Sequence, residues 1–209
     1  LIAGALDQTG RNKQAFDDRI MDNQRWRYRL IAKKLLQGAV IAYPTEGVWG
    51  LGCLPGDQKA VARLLKFKAR PWQKGLILAA SSIDQILPYV ELLEDSELAE
   101  LSSTWPGPVT YLLPRSNEMP LWVSGEHDTV AIRVSAHPVI QGICSELGQP
   151  IISTSANPSG KPPAINRLRL KQYFGDQLDY VVPGALGGLL GPTQIKDLRA
   201  GSVLRGGEV

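Results

Sequence analysis

The sequence predicts an α/β chain in which a mixed β-sheet carries packed helices in three layers. Three observations predict it. Segments of helical period and segments of strand period alternate along the 209 residues. Two strand patterns, VTYLLP and TVAIRV, follow one another with no helix read between them, which an all-parallel sheet would require. Hydrophobic residues make up 44% of the chain, enough for a sizeable core, and the length favours one large domain over two small ones.

The elements follow in order. Residues 23–36 read as a helix: Leu30, Ile31, Leu35 and Leu36 share a face opposite Arg and Lys, and Gly38 stops it. AVIAY is a buried strand that breaks at Pro44. Residues 57–68 form a second helix, with Asp57 as N-cap, Ala60, Val61, Leu64 and Leu65 at helical spacing, and Pro71 limiting its length. GLILAA is a strand. SSIDQILPYV opens a helix with a Ser82-x-x-Gln85 capping box. SELAELSSTW is a short helix stopped by PGP. VTYLLP and TVAIRV are strands; in the second, Val130, Ile132 and Val134 alternate with Ala131 and Arg133, so Arg133 points away from the apolar face. HPVIQGICSELG is a helix ended by Gly148, and PIISTSA is a strand running into a polar loop. LRLKQYFG reads as helical and DYVV as a strand. PGALGGLLGPT is a loop, and IKDL and SVLR close the chain as short strands.

Composition excludes several classes. The net charge of +3, without a dense basic run, permits contact with nucleotides or RNA but does not argue for it. The two cysteines, Cys53 and Cys144, form no C-x-x-C, which reads as a reduced cytoplasmic protein. His127 and His137 have no metal-site spacing with them, and His137 before Pro138 reads as a helix start. No apolar run approaches the ~18 residues of a membrane span. The chain opens on Leu1, and Met21 is the expected natural start, with residues 1–20 an N-terminal extension and 21–209 a single domain.

The sequence carries no P-loop, no G-x-G-x-x-G, no H-E-x-x-H and no G-x-S-x-G. With no strong protein nucleophile in a motif, chemistry here must rest on positioning and charge stabilisation. KFKARPWQKG is the densest basic segment. Composition alone favours a solvated helix end whose cations suit the C-terminal dipole; a rigid helix-to-strand corner fixed by Pro71 is also well placed to hold phosphates. STSANPSGKPP sets Ser153, Ser155 and Asn157 on alternate positions, which sends them to one face as convergent neutral donors. An ordinary polar turn explains the same residues. Trp105 and Trp49 read as core.

YPTEGVWGLGC, KARPWQKGLIL, TWPGPVTYLLP, DTVAIRVSAHP, STSANPSGKPP and PTQIKDL…VLRGG stand in this order between residues 21 and 207. These blocks together resemble the YrdC/TsaC family, the L-threonylcarbamoyladenylate synthases, in their short single-domain bacterial form. The resemblance implies a three-layer α/β (α+β) fold with a twisted mixed sheet and one large concave cavity. It implies adenylyl transfer from ATP: L-threonine, bicarbonate and ATP give threonylcarbamoyl-AMP and pyrophosphate, for modification of an adenosine beside the tRNA anticodon. Mg2+ would be held mainly by ATP, with no metal ligand among the protein side chains, and a downstream threonylcarbamoyl-transferase complex would receive the product.

Carried over by motif, Lys68 and Arg70 are the expected catalytic cations and bind ATP phosphates. Lys74, Thr129, Ser155, Asn157 and Arg205 join them at the nucleotide. Thr45, Arg133, Ser153 and Thr193 are expected at threonine, with Arg133 on its carboxylate. Lys68 and Arg70 are both expected to be exposed; the glycines of the loop 183–192 permit closure over the ligand, which the sequence leaves open. Gly47-Val48-Trp49 departs from the Thr-Val-Tyr of many members, and Ala79 or Ala80 stands where longer relatives carry His. The rival function is a non-catalytic tRNA or ribosomal RNA binder using Arg25, Arg27, Arg29, Lys33 and Lys34, which also read as an exposed helix face.

Overall fold

The structure is a computed structural model and describes residues 24–206; the expected extension 1–20 and the expected start at Met21 lie outside them. A nine-stranded mixed sheet forms the frame. Its strands in chain order are β1 (Ile41–Pro44), β2 (Trp49–Gly52), β3 (Ile77–Ala80), β4 (Val109–Pro114), β5 (Thr129–Val134), β6 (Ile151–Ser155), β7 (Tyr180–Val181), β8 (Gln194–Asp197) and β9 (Val203–Arg205). Across the sheet they run β7-β1-β2-β6-β3-β5-β4-β8-β9. Three pairs are parallel (β1 with β7, β3 with β5, β4 with β8) and the remainder antiparallel.

Helix α1 covers residues 24–36, and α2 is Gln58–Lys68. They are followed by α3 (Asp95–Thr104), α4 (Leu121–Ser124), α5 (Pro138–Leu147) and α6 (Arg167–Phe174). Helices α1 and α5 cover one face of the sheet, packing Ile31, Leu35, Ile140 and Ile143 on Ile41, Tyr43, Ala79 and Ile151. Helices α2, α3 and α6 cover the other, packing Val61, Leu64, Leu101 and Phe174 with Leu51, Leu78, Val130 and Ile132. The chain is therefore helix–sheet–helix in three layers, as period and alternation require.

Local chemistry sets the boundaries. Asp57 caps α2 by accepting the Ala60 amide at 3.0 Å. That helix ends at Ala69, which takes φ 47°, and its amide closes on the Leu65 and Lys66 carbonyls. His137 caps α5 through Nδ1, and Gly148 terminates it with φ 66°. The buried face of α1 is Ile31, Ala32 and Leu35; Leu36, expected beside them, is 65% exposed.

Residues 81–90 correct the expectation of a helix. Only Leu87–Tyr89 forms a single 3₁₀ turn. Gln85 does bond backward, accepting the Ser81 amide at 3.0 Å, but its Nε2 donates to the Cys144 carbonyl at 2.9 Å and so ties the segment to α5. Pro88, with no amide to donate, ends any helical ladder that could start there. Conversely, the short helix α4 lies between β4 and β5, where the sequence suggested a direct strand-to-strand connection.

Among the described residues the helices leave part of one sheet face uncovered. Tyr43 lies under the helices, while Thr45, two residues on, lines a cavity. Ile151 lies under them, while Ser153 and Ser155 line the same cavity. Ala79 lies under α5, while Ile77 lines the cavity. Because strand side chains repeat every second residue, each of these strands passes from beneath the helices into the hollow, and after β1 and along β6 the residues that enter it are hydroxyl-bearing, whereas β3 contributes the apolar Ile77.

Candidate active site

The cavity has a volume of about 410 Å3. Nine of the eleven expected site residues line it: Thr45, Arg70, Lys74, Thr129, Arg133, Ser153, Ser155, Thr193 and Arg205. Its four Arg and Lys side chains meet no Asp or Glu among the lining residues, so the hollow suits an anionic ligand. A second hollow of about 500 Å3, between Val61, Leu65, Trp72 and Trp122, is apolar and shares only Arg70 as a charged group. The chemistry of a polyanion selects the first.

Lys68 and Asn157 are not among the residues that line the cavity, although both bond to Ser155, which is. Lys68 is 4% exposed, where exposure was expected. Its ammonium donates to the carbonyl of Ser155, to the carbonyl of Asn157 at 3.0 Å and to Asn157 Oδ1 at 3.4 Å. A backbone bond from the Ser159 amide to the Lys68 carbonyl, 2.7 Å, closes the same contact. The loop after β6 thus folds over the end of α2 and buries the lysine. Asn157 does not continue the alternation of Ser153 and Ser155, because β6 ends at Ser155; its Nδ2 donates to Lys161 O at 2.6 Å and pins the loop. Both residues stand behind the wall that Ser155 forms.

Burial, with the Arg70 charge second, lowers the Lys68 pKa from 10.5 to about 8. Between those values the unfolded chain binds a proton that the folded chain does not, so stability rises with pH across that window. Below about pH 8 the cost of the buried charge is fully present. From about pH 7 to about pH 9.5 the expected gain over a Lys68→Met variant is at most about 2 kcal/mol, since the oxygens around the ammonium favour its charged form. Denaturant unfolding of both proteins at the two pH values checks it; a wild-type loss of stability relative to the variant contradicts it.

Arg70 donates from Nη2 to the Lys74 and Gly75 carbonyls at 3.1 and 3.0 Å, which fixes the guanidinium against the 3₁₀ turn Trp72–Lys74. Burial lowers its pKa, and burial followed by the Arg133 charge lowers that of Arg205; guanidinium groups remain charged regardless. Arg205 donates from Nε and Nη2 to the Thr193 carbonyl at 3.0 and 2.7 Å. Thr193 in turn accepts from Arg133 Nη1 through its hydroxyl at 2.7 Å. One residue therefore ties two cavity cations together.

Arg133 is 5% exposed and pairs with Glu46, Nη2 to Oε2 at 3.2 Å. The alternation in β5 revealed that Arg133 leaves the apolar face, but not this partner. Glu46 is the carboxylate that follows the strand break at Pro44. Thr45 turns its hydroxyl inward to the Val48 carbonyl at 2.7 Å and closes the turn between β1 and β2. The glycine-rich loop lies across that turn: Gly187 N donates to Thr45 O at 3.0 Å and Leu189 N to Glu46 O at 2.9 Å. His137 Nε2 lies 3.1 Å from the Ala185 carbonyl; with its Nδ1 accepting from Val139, it is the neutral tautomer that donates there. Among the described residues no group of three or more His, Cys, Asp or Glu side chains could hold a metal ion.

Three cations of α1 are engaged locally. Arg25 and Arg29 lie 3.4 and 3.5 Å from Glu146 carboxylate oxygens, and Lys34 sits over the Tyr180 ring. These contacts attach α1 to α5 and β7. No helix among the described residues is long and apolar enough to cross a membrane.

A family model named Sua5_yciO_yrdC and described as Telomere recombination matches residues 33–207. A curated protein of Pseudomonas fluorescens called threonylcarbamoyl-AMP synthase is 53% identical over 180 residues, covering 86% of this chain and 97% of its own length. The crystal structure of P. abyssi Sua5 complexed with L-threonine superposes with a TM-score of 0.82 at 30% identity, over 88% of this chain and 54% of that one. This chain therefore spans about half of the P. abyssi protein. E. coli YciO superposes with a TM-score of 0.77 at 26% identity, over 88% of this chain and 90% of the other.

Proposed function

The chain belongs to the Sua5/YciO/YrdC family, and from that premise we propose that it is an adenylyl-transferring synthase that makes threonylcarbamoyl-AMP. The substrates are L-threonine, bicarbonate and ATP, and the product serves tRNA modification in the cytoplasm through a downstream transferase complex. The observation that carries this reading is the convergence of Arg70, Lys74, Arg133 and Arg205 with Thr45, Ser153, Ser155 and Thr193 on one cavity. Cations suit the phosphates and the carboxylate; hydroxyls suit an amino acid with its own hydroxyl.

The reaction needs no protein nucleophile. The threonine amine, once deprotonated, forms the N–C bond to the carbon of bicarbonate-derived CO2, giving a carbamate. A carbamate oxygen then forms a bond to the α-phosphorus while the bond to the bridging α–β oxygen breaks, and pyrophosphate leaves with that electron pair. The chain contributes proximity and charge neutralisation. Arg70 and Lys74, on the corner after α2, are the groups assigned to the leaving pyrophosphate, with Ser155, Thr129 and Arg205 at the nucleotide. Arg133, with Ser153, Thr45 and Thr193, is assigned to threonine. Lys68 and Asn157 act from behind, holding the Ser155 wall in place.

Mg2+ would enter this site with ATP, held by the phosphates rather than by protein side chains, and would supply charge neutralisation there. The buried carboxylate nearest the cavity cations, Glu46, is already taken by Arg133 and Ser135 and is not a free ligand.

Pyrophosphate release, measured with each substrate omitted in turn, tests the reading. Release is expected only when threonine, bicarbonate and ATP are all present. Release that is indifferent to threonine or to bicarbonate rejects it.

A further inference from the structure

We propose that Glu46 is a positioning residue that sets Arg133 for the substrate carboxylate; this rests on the threonine-synthase reading above. Glu46 is 7% exposed and is not on the cavity wall. Its Oε2 lies 3.2 Å from Arg133 Nη2, and its Oε1 accepts from the Ser135 hydroxyl at 2.5 Å. Ser135 has no solvent exposure and follows β5 directly, so the carboxylate is held on the strand that carries Arg133. The opposite Nη1 of Arg133 donates to Thr193. The Nη2–Oε2 contact is an ion pair and not an aligned hydrogen bond, since Oε2 accepts none, so the guanidinium is held at Nη1 by a hydrogen bond and at Nη2 by charge. Its Nε is buried without an acceptor.

A buried carboxylate beside a cation meant for an anion is a poor choice if only the local field mattered. It lowers the positive potential and costs desolvation. Orientation is what it adds: without it, Arg133 is held at one nitrogen only. The two roles give opposite signs. If Glu46 acts only through its charge, neutralising it strengthens threonine binding. If it positions Arg133, neutralising it weakens binding despite the more positive field. Glutamine keeps the shape and an acceptor oxygen but loses the charge that holds Arg133 Nη2.

The test uses the full chain, with pyrophosphate-release kinetics and calorimetric titration of L-threonine. In Glu46→Gln the KM and Kd for threonine are expected to rise about 10-fold or more, with KM for ATP at saturating threonine within about 2-fold of wild type. Ser135→Ala, which removes only the hydroxyl behind Oε1, is expected to raise KM for threonine about 3-fold. An unchanged or lowered threonine KM and Kd in Glu46→Gln overturns the proposal. Should Glu46→Gln fail to fold, an unchanged value in Ser135→Ala overturns it. Wild-type protein that binds threonine but releases no pyrophosphate rejects the reaction alone, and the calorimetric comparison still decides Glu46. Wild-type protein that binds no threonine rejects both.

Discussion

Lys68→Met is expected to lower turnover by on the order of 10²–10³-fold, although the side chain it replaces does not line the cavity. Methionine keeps the unbranched stem and most of the volume, so the core around α2 stays filled. It removes the ammonium that gathers the carbonyls of Ser155 and Asn157 and the Asn157 amide oxygen. Those oxygens lose their donor while still enclosed, and the strand end they belong to is the cavity wall at Ser155. The wall then moves, and a displacement of about 1 Å at a reacting centre can cost about 10²-fold. Steady-state pyrophosphate release checks the rate, with KM for ATP rising more than KM for threonine. Stability is expected to change less than activity, because removing a buried charge offsets part of the cost of the orphaned oxygens. Wild-type turnover in Lys68→Met removes Lys68 from the machinery. A loss confined to threonine KM assigns it to the wrong half of the site.

The burial of Lys68 illustrates where sequence reading stops. Helical spacing from Asp57 placed Lys68 on the last turn of α2, and the cap and end are as the pattern requires. Whether the last turn is wet depends on residues 155–159, far along the chain, and nothing local encodes that they fold over it. The same holds for Glu46 and Arg133. Alternation in β5 shows that Arg133 leaves the Val130–Ile132–Val134 face; only tertiary structure brings Glu46 to it. Alternation also predicted Ser153 and Ser155 on one wall, and it failed at Asn157 because the strand had already ended. Period-based inference still places Thr45, one residue past β1, but fails at Asn157, two residues past β6. The segment 81–90 failed differently. The Ser82–Gln85 capping box does not form: Gln85 accepts from the Ser81 amide instead and also bonds α5, and tertiary anchoring outweighs local helix propensity.

Gly47→Ala, at a residue that itself lines the cavity, is expected to lower turnover by about 10²-fold by displacing the loop it packs against. A Cβ on residue 47 would lie 2.1 Å from the Gly191 carbonyl oxygen and 3.0 Å from that of Leu189. Both are backbone atoms and cannot rotate away, so the whole segment 187–193 must retreat. The bonds from Gly187 N to Thr45 O and from Leu189 N to Glu46 O would then stretch or break. Thr193 lies at the end of that segment and accepts from Arg133 through its hydroxyl and from Arg205 through its carbonyl. Both expected subsites are therefore disturbed together, and KM for threonine and for ATP should rise in the same variant. Overpacking of this kind costs about 1–3 kcal/mol of stability. Gly56→Ala is the control: a Cβ there meets nothing within 4 Å, and its effect should stay within about 0.5 kcal/mol without altering either KM. Kinetics and denaturant unfolding of the two variants side by side decide the matter. If Gly47→Ala keeps wild-type KM values, the loop can retreat without moving Thr193, and the link it makes between the two cavity cations is incidental.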